Sequence, residues 1–217
     1  MATSRAPRTT WRRLAILVLF VLVPSLNTYA QSRMQTIPDD RMTAEQKKAV
    51  EEFKVARGQA TIPGPWSVLI RVPELLTLGR MWRDHVQNRT ALGNKLSELV
   101  ILITAREWTQ QYEWNAHYQA AIKAGVKAEI VQAIAEGRRP DPMADDERAV
   151  YDLCTELQRN KSVSDATYAR ALAKLGEEGI VEAASIQGFY ALLAMNMNAA
   201  RTPLPAGAQP PLALFPR

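Results

Sequence analysis

Cysteine is nearly missing from this chain: Cys154 is the only one in 217 residues. A single thiol excludes any disulfide within the chain and any dithiol redox cycle. Cys154 stands with Val150, Leu153 and Leu157 on an apolar helical stripe. It therefore reads as a buried structural thiol, because apolar surroundings raise a thiol's pKa and suppress its reactivity. Histidine is almost as scarce, with only His85 and His117. No alternating run of β-branched residues bounded by turn signals occurs, which removes the strand-based fold classes. There is no repeat at a fixed period and no low-complexity tract. No apolar run reaches the ~20 residues a membrane-spanning helix needs.

The longest apolar run, Leu14 to Val23, lies behind Arg5, Arg8, Arg12 and Arg13, with no acidic residue among them. Pro24 ends it, and Thr28-Tyr29-Ala30 places small residues where a signal peptidase reads. A charged, apolar, cleavable layout is that of a secretory signal, with cleavage expected after Ala30. The competing reading, a retained anchor, suffers from the short run. An exported protein, periplasmic or secreted, is therefore expected. The leader also carries four of the chain's 27 basic residues, so residues 31–217 hold 23 basic against 22 acidic ones. That near-neutral balance gives no reason to expect a nucleic-acid partner, or a membrane partner once the leader is removed.

What remains is helical. Residues 31–42 are polar and without period. Thr43-x-x-Gln46 reads as a capping box opening a helix to Arg57, with Gly58 as its stop. Gln59 to Pro65 is a loop, Trp66 to Ile70 a short apolar stretch, and Pro73 suits the first turn of a helix to about His85. A strongly apolar helix starts at Lys95 and carries Leu96, Leu99, Val100 and Ile103. A second follows from about Thr109 to Ala124, where Gly125 stops it. Further helices are expected over 128–136, over Asp145 to Arg159 with acid in its first turn, from the Ser164 cap to Leu175, and over 177–199. Pro203, Pro205, Pro210 and Pro211 then make an extended tail draped over a surface.

Chemistry can be sought around His117. Gln110, Glu113 and His117 fall within an arc of about 60° on one helix. Glu113 and His117, four apart, can hydrogen-bond directly. A carboxylate beside an imidazole orients the ring and favours its cation, which suits a general acid or base. Glu98, a carboxylate in an otherwise apolar run, lies on the preceding helix. The short connection makes the two helices antiparallel neighbours. Glu98 is then either the solvated edge of a buried face or part of a site. Glu113-x-x-x-His117 with Glu98 also has metal-ligand spacing, although one histidine is few for a metal site, and no metal is expected. His85, within Arg83-Asp84-His85, reads as exposed.

The segment Leu96-Ser97-Glu98-Leu99-Val100-Ile101-Leu102, then Ala105-Arg106, then Tyr112-Glu113-Trp114-x-x-His117, resembles the signature of the carboxymuconolactone decarboxylase family, which includes the alkylhydroperoxidase D-like proteins. Gly64-Pro65-Trp66 with Pro73-Glu74-Leu75, Ala124-Gly125-Val126, and Gly188-Phe189-Tyr190 leading to Asn198 and Pro203-Leu204-Pro205 extend the match. The resemblance covers roughly residues 60–206, so the chain divides into a signal peptide at 1–30, a lead-in and first helix at 31–59, the family-like domain at 60–206 and a proline-rich tail at 207–217. It implies an all-α fold built around a helical hairpin, assembled as trimers or hexamers, with no cofactor. Peroxidase members place a Cys-x-x-Cys pair ahead of the histidine, and here those positions hold Gln110 and Glu113. The resemblance thus implies thiol-independent acid–base chemistry of the decarboxylase kind on a small lactone or carboxylic acid. His117, Glu113 and Glu98 would be catalytic, and Arg106, Tyr112, Trp114 and Gln110 would contact substrate. Two alternatives remain: a non-catalytic binding or assembly protein, and a peroxidase in which Cys154 is the reactive thiol. Arg106 could equally pair with Glu107 or Glu113, and Tyr112 and Trp114 could simply pack.

Overall fold

The structure, a computed structural model, describes residues 32–209 and 211–214. The expected signal peptide therefore lies outside the described residues. Among these, every regular element is a helix. After a 3-10 turn at Asp39–Arg41 come α1 (Ala44–Arg57), α2 (Pro65–Leu69), α3 (Pro73–Asn88), α4 (Gly93–Glu107), α5 (Gln111–Lys123), α6 (Ala128–Ala135), α7 (Asp145–Asn160) and α8 (Asp165–Ala200).

The local signals explain the boundaries. Thr43 caps α1 through a reciprocal capping box with Gln46, and Gly58 ends it in the left-handed region. Ser164 accepts from the Thr167 N–H at the start of α8. Gly176, at φ 68° and ψ 176°, breaks α8 into the two helices expected at 164–175 and 177–199. Pro73 opens α3, which continues past His85 to Asn88.

The core forms around α4. Its residues from Leu96 to Arg106 are buried except Glu98, and Leu99, Val100, Ile101 and Leu102 are fully enclosed. A helix apolar on all sides must be surrounded, and α4 packs against α5, α7 and α8. Each of its buried leucines contributes about 1.5–3 kcal/mol over an exposed position. The apolar length of α8 would suffice for a bilayer. Here it lies against α2, α3, α4 and α7 as a core helix. Cys154 is fully buried on α7, and burial pushes its thiol up to about 12.

The α4–α5 turn is tighter than the sequence suggests. Thr109 does not begin the second helix. It adopts a left-handed φ of 45° just beyond α4. Its N–H donates to Arg106 O at 2.9 Å, and the Gln110 N–H donates to Ala105 O at 2.7 Å. This pair of bonds closes the end of α4 and reverses the chain. A β-branched residue costs about 1 kcal/mol or more in that conformation, so the turn is held from outside. Asn198 on α8 donates to Trp108 O at 3.0 Å and accepts from Gln110 at 2.8 Å. The tail docks rather than merely draping: Leu212 is buried, its N–H and carbonyl both bond Gln111, and Ala213 O accepts from Arg106 at 2.8 Å.

Candidate active site

The hairpin brings the two residues separated by that turn together. His117 Nδ1 lies 2.8 Å from Glu98 Oε2, with both side chains about 15 % exposed (15 % and 14 %). A carboxylate oxygen accepts, so Nδ1 donates, and Nε2 is left to exchange a proton. Glu98 is thus neither a solvated edge nor a remote residue. It sits where α4 leaves a gap in its apolar wall. The Tyr190 ring, from α8, meets the imidazole edge-on at 5.2 Å and 88°. Burial and the nearby Glu98 charge push the Tyr190 phenol upward, so it remains a hydroxyl, and Gln87 donates to it at 3.3 Å.

These groups line a cavity of about 360 Å³. Glu113 lines it too, but differently from expectation. The direct Glu113–His117 hydrogen bond does not form, because His117 turns its Nδ1 to α4. Glu113 is only 2 % exposed, and neither of its carboxyl oxygens has a hydrogen-bond partner among the described residues. Burial alone pushes its carboxyl well above the usual carboxylate range. The site therefore holds one carboxyl that orients an imidazole beside a second, buried carboxyl that holds its proton more tightly than an ordinary glutamate. Glu98, Glu113 and His117 do not form a three-donor cluster, and no such group of metal-ligating side chains occurs among the described residues.

Tyr112 also lines the cavity, half-buried and with its phenol pushed upward by burial. The loop before α2 passes close to its ring at Gly64. Gly64, at φ 52°, has no room for a side chain, since a Cβ would fall 2.4 Å from the Tyr112 ring. The other three expected contact residues lie elsewhere. Gln110 caps α5, accepting from the Tyr112 N–H at 2.7 Å, and reaches Asn198. Trp114 is 3 % exposed and belongs to the core. Arg106 is buried at the far end of α4, bonded to the tail at Ala213. It does not line the cavity, because the helix turns it toward α6 and α7.

The cations that do line the cavity are Arg57 of α1 and Arg83 of α3. Neither was singled out from the sequence, nor was Tyr190, although Gly188-Phe189-Tyr190 belongs to the quoted resemblance. Arg57 at a helix end, ahead of Gly58, carries the same local signal as a residue placed there for the helix dipole. His85 is not simply exposed: its side chain is 42 % accessible, yet Nε2 lies 2.7 Å from Glu182 on α8.

No protein-family model matches the sequence, and no curated protein matches it. The fold does match solved structures. An uncharacterized peroxidase-related protein from Ralstonia eutropha JMP134, described as an alkylhydroperoxidase AhpD core, superposes with a TM-score of 0.64 at 15% identity. The match covers 81% of this chain and 93% of that one. A peroxidase-related protein from Silicibacter sp. TM1040 gives 0.64 at 13% identity over 81% and 92%. The debrominase Bmp8 gives 0.60 at 14% identity over 79% and 91%.

Proposed function

From the AhpD-like fold, we propose that this protein is an exported, thiol-independent enzyme that moves protons on a small lactone or carboxylic acid. The carrying observation is the Glu98–His117 hydrogen bond of 2.8 Å on the wall of a cavity that also holds the dry Glu113 carboxyl. His117 Nε2 is the general base, Glu98 fixes the ring's tautomer and orientation, and Glu113 is the general acid. A base and an acid in one cavity can take a proton from carbon and return one elsewhere, as a lyase or an isomerase of a lactone acid requires. Structures of this fold bear names as different as peroxidase-related protein and debrominase, so the fold itself does not choose the chemistry. Two observations weigh against peroxidase chemistry: Gln110 and Glu113 occupy the thiol positions of the peroxidase pattern, and Cys154 is sealed in the core.

The protein acts as a homo-oligomer in this reading, trimer or hexamer. Leu75, Leu78, Met81 and Trp82 expose an apolar stripe along α3, which suits burial against another copy. Export rests on the layout of residues 1–30. The test of the catalytic reading is deuterium incorporation. The protein is incubated in heavy water with a panel of small lactones and unsaturated acids, and carbon-bound deuterium is followed by NMR. Incorporation should require His117 and vanish in His117→Gln with the fold intact. Incorporation retained in that variant removes His117 from the mechanism, and none with any compound supports a non-catalytic binding protein instead.

A further inference from the structure

We propose that Arg57, with Arg83 beside it, forms the anion-binding end of this cavity, and that the ligand is a small carboxylate with an apolar or aromatic body. The inference rests on the cavity described above and gives the substrate class for the reading just proposed. Its first support is a charge imbalance. Asp84 is the acidic residue nearest to three guanidinium groups, at 3.1 Å from Arg80, 3.7 Å from Arg83 and 3.9 Å from Arg57. Only Arg80 makes a hydrogen bond to it, the i,i+4 contact along α3. One carboxylate thus faces three cations, and the two less well matched are the two that line the cavity.

The second support is an unsatisfied donor. Arg57 is only 15 % exposed at its side chain, and its buried Nε has no hydrogen-bond partner among the described residues. A charged donor taken from water and left unpaired is costly unless something else satisfies it. The carboxyl groups of the same cavity do not: Glu98 is bonded to His117, and Glu113 has no hydrogen-bond partner among the described residues. A guanidinium offers parallel N–H groups that match a carboxylate, so a ligand carboxylate answers the charge imbalance and adds a partner to a guanidinium that the protein leaves under-bonded. The rest of the wall argues for the ligand's body. Pro63, Pro65, Trp66, Tyr112 and Tyr190 line the same cavity as the arginines and His117 with rings and apolar surface.

Benzoate is the probe and benzamide its neutral counterpart, each titrated into the full protein by calorimetry. Benzoate should bind saturably and more tightly than benzamide. Arg57→Gln should weaken benzoate roughly tenfold or more, leaving benzamide within about twofold. Arg57→Lys, which keeps the charge, should retain part of the affinity. The proposal is overturned by an unchanged benzoate affinity in Arg57→Gln, by an equal loss for benzoate and benzamide, or by no saturable benzoate binding. His117→Gln separates this from the catalytic reading. Arginine-dependent benzoate binding without deuterium exchange on any acid leaves the anion site standing and refutes the enzyme. Exchange that survives with benzoate affinity unchanged in Arg57→Gln does the reverse.

Discussion

The dry carboxyl of Glu113 makes stability depend on pH in the sense opposite to that of an ion-paired glutamate. Its folded-state pKa is raised by burial, whereas in the unfolded chain it titrates as an ordinary glutamate. Below the unfolded value both states hold the proton and stability is at its full level. Above it, the unfolded chain releases the proton while the folded protein keeps it, so unfolding becomes easier as pH rises. The loss continues until the pH passes the folded value. In that window the slope approaches about 1.4 kcal/mol per pH unit. Glu113→Gln removes the titration while keeping the side chain's size and neutral polarity. The informative quantity is the difference in unfolding free energy between wild type and Glu113→Gln, from urea denaturation followed by circular dichroism at successive pH values. Titrating groups that do not interact with Glu113 cancel in that difference. Wild type should lose ground to the variant with every step upward from the ordinary glutamate range. A difference that stays level with pH refutes the reasoning. It would mean that the carboxyl reaches water or a cation in solution.

Two further outcomes follow from the geometry around the cavity and the core. Gly64→Ala should destabilise the protein by more than about 1 kcal/mol, and part of that cost should disappear in a Tyr112→Ala background, as thermal melts of the four proteins of the cycle would show. Cys154 should react with a thiol reagent only as the protein unfolds, because the sulfur is fully buried with its thiol pushed up to about 12; rapid labelling of the native protein would contradict the burial.

Much of the fold is legible in local chemistry. Thr43 with Gln46, Gly58, Ser164 and Gly176 mark helix ends through their own side chains or backbone freedom, and the structure uses each as the sequence suggests. Thr109 shows the limit. Nothing local announces a β-branched residue in the left-handed region, since Asn198 and the α5 cap impose it from elsewhere. The same division runs through the site. Glu98 and His117 are nineteen residues apart on one hairpin, so helix periodicity and a short connection suffice to pair them. Glu113 shares α5 with His117, yet it is buried without a hydrogen-bond partner among the described residues, which helix periodicity does not foretell. Arg57, Arg83 and Tyr190 come from α1, α3 and α8, and only tertiary packing decides that three such distant helices face one space. Arg106 was misplaced for the related reason that a buried cation near the motif can turn either way. Here it turns to the carbonyl of Ala213.

That bond gives the end of the chain a role in timing. The turn between the helices of Glu98 and His117 is fastened by Asn198, by Leu212 through Gln111 and by Ala213 through Arg106. These partners lie 90 to 107 residues further along. During synthesis the hairpin helices can form early, but their turn cannot be clamped until the tail has emerged. The full fastening of this turn is therefore among the last things the chain completes.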